Sequence, residues 1–286
     1  TILHTNDFHG QLEASGSNPG YARDVAVIKQ VRNSVNPANA ILLDAGDEMQ
    51  GSLLSNINKG APVIDLFNRA GVKAATFGNH EFDWGQAVLT ARTTQADYPF
   101  VTANIVVNDT GNCSTAGWTA PDFAQPYVVE TLNATGGTVK VGFIGVTTTE
   151  TPIITVATAT AGLCFKDPAD SILHYYDALK AASDVIVVLS HLGYPDGGYG
   201  YGFPVYGEQT LASKLNGAGK PVDLIVGGHS FGIEAVVQQH ARPGARAAPE
   251  DGEAADVVKR QAVQPEVAGA QRQMAVGGRR RGIEAG

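Results

Sequence analysis

The residues able to bind a metal or move a proton fall in short strings, each placed just past an apolar run. Asp7-Phe8-His9 follows Ile2–Thr5. Residues two apart on an extended chain point the same way, so this carboxylate and imidazole can converge on one cation. Taken singly, the string is weak evidence and reads as an Asp and a His facing solvent. Gly46-Asp47 follows Ile41-Leu42-Leu43-Asp44-Ala45. A carboxylate has two oxygens and can bridge two cations, which neutral ligands do poorly. The ordinary reading of Asp47 by itself is a helix cap. Asp44 competes with it, but lies inside the strand, where a structural role fits better.

The string Gly78-Asn79-His80-Glu81-Phe82-Asp83 follows Ala74–Phe77 and is more specific. Asn79 can offer its amide oxygen to a metal, while His80 faces another way and can reach a substrate oxygen. Asp83, three residues on, can hydrogen-bond the imidazole and favour its charged form. A histidine so held can stabilise developing charge or protonate a leaving alkoxide. Two further apolar runs end in His191 and in Gly227-Gly228-His229-Ser230. A strand ending in histidine is usually a core edge, but two of them beside the first three strings form a set. Imidazoles with carboxylates suit Zn²⁺, Mn²⁺, Fe²⁺ or Co²⁺ better than Ca²⁺.

The elements that must position these groups alternate between strand and helix. Strands are expected at Thr1–Thr5, Ala40–Asp44, Ala74–Phe77, Phe100–Ala103, Val139–Val146, Asp184–Ser190 and Val222–Val226. Several are continuous Val/Ile/Leu runs, as in strands covered on both faces. Val25, Ile28, Val31 and Val35 recur at helical spacing. Asp167-Pro168 starts another helix with a cap and a first-turn proline, followed by the stripe Ile172, Tyr176, Leu179. The alternation predicts an α/β fold, with the ligand strings at strand ends where ligands gather in open sheets.

The 286 residues suffice for one large domain or two small ones, with 43% apolar and 17% charged residues. A formal charge of −8 argues against nucleic-acid backbone binding, whereas bound cations would let an acidic protein hold a phosphate ester. No apolar run approaches the roughly 20 residues of a membrane-crossing helix. Starting at Thr1 on a strand pattern, without Met or signal peptide, the chain reads as a mature or trimmed product. Cys113 and Cys164 lie apart from the ligand strings, which favours a disulfide over two thiols. Asn108-Asp109-Thr110, Asn112-Cys113-Ser114 and Asn133-Ala134-Thr135 fit the glycosylation sequon, a pattern short enough to arise by chance. After Phe231 the composition changes: residues 232–286 contain no Leu, Phe, Tyr, Trp, Ser, Thr, Asn or Cys. Such a segment is expected to lack fixed structure. It is either a low-complexity tail or a GC-rich gene read out of frame. The organisation expected is a catalytic domain over 1–231 and this tail over 232–286.

In chain order, D-x-H, G-D, G-N-H-E, strand-His and G-G-H-S resemble the signature of the calcineurin-like metallophosphoesterases. Ile2-Leu3-His4-Thr5-Asn6-Asp7 and Gly78-Asn79-His80-Glu81-Phe82-Asp83 resemble its 5′-nucleotidase branch, which also holds 2′,3′-cyclic phosphodiesterases and UDP-sugar hydrolases. The resemblance implies a four-layer sandwich of two mostly parallel or mixed β-sheets flanked by helices. It implies two divalent ions (Zn, Mn, Fe or Co), one on Asp7, His9 and Asp47, the other on Asp47, Asn79, His191 and His229. His80, oriented by Asp83, would be the transition-state residue, and the ions, ~3.5–4 Å apart, would activate a hydroxide. The implied substrate is a small phosphate ester, most simply a nucleoside 5′-monophosphate. The implied location is secreted, periplasmic or at the cell surface.

The chain departs from the pattern at Phe231, where the family has a second ligand, His or Gln, after G-G-H-S. The family's further C-terminal domain, which supplies nucleoside-binding residues, has no counterpart in 232–286, where no Phe, Tyr or Trp occurs. Rival readings are a cyclic-nucleotide phosphodiesterase or a thiosulfohydrolase on the same site, and a truncated, non-catalytic metal-binding fragment. His4, His174 and His240 are expected to be structural or exposed. Gly193–Gly207, rich in Gly and Tyr, is expected as a loop that could line the substrate mouth.

Overall fold

The computed structural model describes residues 1–229, except 17, 36, 135, 195 and 197–204, together with residues 235–237. One sheet holds β1 (Ile2–Thr5), β2 (Ile41–Asp44), β3 (Val72–Thr76) and β4 (Phe100–Val101), in that order and all parallel. The second has the order β11-β10-β9-β7-β6, built from β6 (Tyr127–Ala134), β7 (Gly137–Thr147), β9 (Val185–His191), β10 (Leu224–Gly227) and β11 (Ala235–Val237). Its strands β7, β9 and β10 are parallel, while β6 and β11 close the two edges antiparallel. A small antiparallel pair, β5 (Ile105–Val107) with β8 (Leu163–Phe165), stands apart. The short helices α2 (Leu53–Ile57) and α5 (Thr151–Ile154) lie in the connections after β2 and β7.

Side-chain alternation produces the layers. In β2, Leu42 faces outward to Ile28, Val63, Ile64, Phe67 and Leu89, which come from the helices α1 (Tyr21–Ser34), α3 (Ala61–Ala70) and α4 (Gln86–Gln95). Its neighbour Leu43 faces inward and packs with Phe143, Val187, Leu189 and Val226 of the second sheet. Ile186 and Val188 of β9 then turn away, onto Ile172 and Leu179 of α6 (Pro168–Ala182) and Leu211 and Leu215 of α7 (Glu208–Gly217). Helices, sheet, sheet, helices is the expected four-layer α/β sandwich. The start of α6 follows the sequence: Asp167 caps it by accepting from the Asp170 N–H at 3.0 Å, with Pro168 in the first turn.

The expected strands are present, with shifted ends: β10 begins at Leu224 rather than Val222, and β3 at Val72 rather than Ala74. Strands β5, β6, β8 and β11 were not expected. The strand β11 falls inside the segment expected to lack fixed structure; the rest of 232–286, with His240, Phe231 and Ser230, lies outside the described residues.

Cys113 and Cys164 form a disulfide across 51 positions, tying the loop after β5 to β8. A loop of this length constrains the unfolded chain by ~4 kcal/mol. Reduction, or a Cys113→Ser change, is expected to lower the unfolding free energy by about that amount. Urea denaturation of the oxidised and reduced protein checks this; coincident curves would show that the bridge adds no stability.

Candidate metal centre

Because β1, β2 and β3 run parallel, and β9 and β10 likewise, their C-terminal ends share one edge of the sandwich. There the loops continue as a ladder: Asp7 N–H donates to Gly46 O at 3.0 Å, His9 N–H to Asp47 O at 2.9 Å, and Gly10 N–H to Glu48 O at 2.9 Å. The two sheets are stitched together at the same edge. His191 Nδ1 lies 2.7 Å from Ala45 O, and Thr147 Oγ1 donates to Phe77 O at 2.7 Å.

Asp47 is the centre of this edge and is almost fully buried. One oxygen, Oδ2, lies 3.1 Å from His191 Nε2 and 3.9 Å from His9 Nε2, while Oδ1 accepts the His80 N–H at 2.9 Å. Two overlapping groups of ligand atoms result: His9, Asp47 and His80 on one side, Asp47, His191 and His229 on the other. Asp47 belongs to both.

The donor set fits cations. His191 commits Nδ1 to the Ala45 carbonyl, so its buried Nε2 is the nitrogen turned to Asp47, 3.1 Å from Oδ2, and the one that would ligate a cation there. His9 is set the same way by Gln50 O, 2.8 Å from its Nδ1. Fixing one ring nitrogen on a carbonyl is how ligand histidines are oriented. Asn79 Oδ1 is buried with no hydrogen bond, an orphan acceptor that a metal would satisfy.

Charge follows the same geometry. Burial would raise the Asp47 carboxyl, but His191, His80 and His9 outweigh it and hold the group below the usual carboxylate range. Burial likewise opposes charge on His191, yet the attraction and hydrogen bond of Asp47 raise its pKa to about 10. The two thus form an ion pair, and a cation held there would take the place of a proton. Burial and repulsion from His191 push His229 down to about 3, keeping it neutral. For His80 the 2.7 Å hydrogen bond from Nδ1 to Asp83 Oδ2 is the main cause; it overcomes burial, and with Asp47 it lifts the pKa to about 9.

The expected ligands are not all gathered alike. Asp7 turns its carboxylate to the His229 N–H, at 3.0 and 3.2 Å, and to Asn6 Nδ2 at 2.9 Å. It is absent from the first group, and His80 stands there instead. Asp44 is structural, accepting from Thr5 Oγ1 at 2.7 Å and the Gly46 N–H at 2.8 Å. His174 is exposed and stacks on Trp118, and His4 is pushed down by burial. Most of the Gly193–Gly207 loop lies outside the described residues.

Sequence reasoning missed Glu81. Its buried carboxylate accepts main-chain N–H groups from Asp47 (2.8 Å), Glu48 (3.0 Å) and Gly78 (2.7 Å), clamping the second and third loops together. Its place directly after His80 was the only available signal. The clamp is tight: a Cβ on Gly78 would overlap Asp47 Oδ1, and one on Gly46 would lie 2.5 Å from Gly78 N and 2.8 Å from His191 Nδ1. Glu208 does similar work beyond His191, accepting from Ser190 Oγ at 2.9 Å and the Gly193 N–H at 3.1 Å.

The family model for calcineurin-like phosphoesterases matches residues 1–231. The chain is 31% identical to the snake venom 5′-nucleotidase of Gloydius brevicauda, over 80% of its own length and 36% of that protein. The chain thus spans little more than a third of that relative. Among solved structures it resembles the calcineurin-like phosphoesterase YfkN from Bacillus subtilis, with a TM-score of 0.65 and 28% identity, covering 80% of this chain and 71% of that one. It also resembles the 5′-nucleotidase precursor from Thermus thermophilus, with a TM-score of 0.60 and 32% identity, covering 80% and 41%. A match through residues 1–231, on a fold that brings the two histidine groups onto one aspartate, leaves one assignment: the chain belongs to the calcineurin-like phosphoesterase family.

Proposed function

We propose that residues 1–231 are the catalytic domain of a metal-dependent phosphomonoesterase acting on nucleoside 5′-monophosphates. The observation that carries this reading is the single buried carboxylate of Asp47 shared by two groups of imidazoles. His9 and Asp47, with Asp7 alongside, would hold one ion. Asp47, Asn79, His191 and His229 would hold the other. When bound, the ions supply Lewis acidity, lowering the pKa of water and neutralising phosphoryl oxygens. Nucleotides as substrates rest on the relatives' names; phosphate-ester hydrolysis rests on this chain's own residues.

His80 is the chain's proton carrier in this reading. Asp83 holds Nδ1, leaving Nε2 as the nitrogen that would carry the proton to the departing alkoxide. Glu81 fixes Asp47 and Gly78 beside it, so the charged groups are oriented before substrate arrives. The disulfide supports the secreted, periplasmic or cell-surface location, since such bridges persist in oxidising compartments.

The direct test is metal content together with hydrolysis of p-nitrophenyl phosphate and AMP, on this chain and on Phe231→His. About two ions per chain and metal-dependent turnover are expected. Turnover confined to Phe231→His would keep the reaction and locate a defect at that position. If neither version bound metal or turned over substrate, the fragment reading would replace this one. A second test concerns His80, whose raised pKa keeps it protonated below about 9, so its acid role is lost above that pH. Asp83→Asn removes the main cause of the rise and should move the alkaline limb of kcat down by roughly 1 unit or more. An unmoved limb would assign the acid role elsewhere.

A further inference from the structure

We propose that Asn112 is an acceptor for an N-linked oligosaccharide. The inference rests only on the oxidising-compartment part of the proposed function and is independent of phosphate-ester hydrolysis. Of the two sequons that lie wholly among the described residues, Asn112-Cys113-Ser114 is the one the fold presents. All three of its residues are exposed, on the loop between β5 and β6. Asn112 Oδ1 accepts both the Ser114 N–H, at 3.0 Å, and the Ser114 hydroxyl, at 2.8 Å. The hydroxyl is thus already on the side-chain amide that must react, and among the described residues no protein group holds the amide nitrogen. The turn is anchored on either side. Thr110 Oγ1 donates to Asn112 O at 2.9 Å, and the Cys113–Cys164 bridge fastens the middle residue to β8.

Asn108-Asp109-Thr110 differs. Asn108 is half-buried, its Oδ1 is enclosed, and its main-chain N–H donates to Gly162 O at 2.8 Å. A glycan there would have to break into the packing of this loop against the start of β8. The third sequon includes Thr135, which lies outside the described residues.

The step requires a lipid-pyrophosphate-linked oligosaccharide as co-reactant. Asn112 Nδ2 attacks the sugar's anomeric carbon, a C–N bond forms and the C–O bond to pyrophosphate breaks. The lipid pyrophosphate leaves, and the amide proton passes to a base of the transferase. Exposure of Asn112 means the folded chain can carry the product without rearrangement.

The test is secretion of the full 286-residue chain from a eukaryotic host, followed by amidase release of N-glycans in heavy-oxygen water and peptide mass mapping. Labelled Asp at position 112 is expected. The signal should vanish in Asn112→Gln and Ser114→Ala and persist in Asn108→Gln. All three changes are at sequon side chains outside the metal centre, so the disulfide and the circular dichroism spectrum should be retained. An unmodified Asn112 peptide in secreted, disulfide-bonded protein would overturn the proposal, as would modification of Asn108 in its place.

Discussion

Everything at the metal edge depends on one carboxylate being held where two sets of imidazoles can share it. Asp47 is buried, and a buried carboxylate without partners is expensive. Here the cost is offset by the histidines around it and by the His80 N–H. The same arrangement leaves the buried acceptor Asn79 Oδ1 without a hydrogen bond.

Holding Asp47 there strains the backbone. Asp7, His9, Asp47 and His229 all have positive φ, at 49°, 49°, 56° and 76°, a region that non-glycine residues avoid. Such conformations cost of order 1–3 kcal/mol each and persist only when the surroundings over-determine them. The surroundings do so here. The ladder between residues 7–10 and 46–48, the Glu81 clamp and the contacts of Gly46 and Gly78 leave the loops little room to relax. Packing of the two sheets through Leu43, Phe143, Val187 and Leu189 supplies the rigid frame on which that strain is carried.

The sequence made the strand ends and the ligand types legible, because a parallel strand buried on both faces and an abrupt polar string after it both leave local marks. The small strands β5, β6 and β8 left none. Tyr127–Ala134 mixes apolar with polar residues and pairs only along one edge, and the other two are three residues each. Glu81 was legible as a letter but not as a clamp, since its partners are main-chain N–H groups 3 to 34 positions away. Backbone carbonyls such as Ala45 O and Gln50 O, which orient His191 and His9, have no side-chain signature at all. The turn of Asp7 toward the His229 N–H joins residues 222 positions apart, beyond any local pattern.

On the proposed reading, Asp47 would bridge two cations. Anomalous diffraction from crystals soaked in Mn²⁺, collected for the chain and for Asp47→Asn, tests it most directly. Two peaks flanking the Asp47 carboxylate are predicted, one toward His9 and one toward His191 and His229, with both weakened together in the variant. A single peak, or two peaks of which only one responds to the loss of Asp47, would contradict the account.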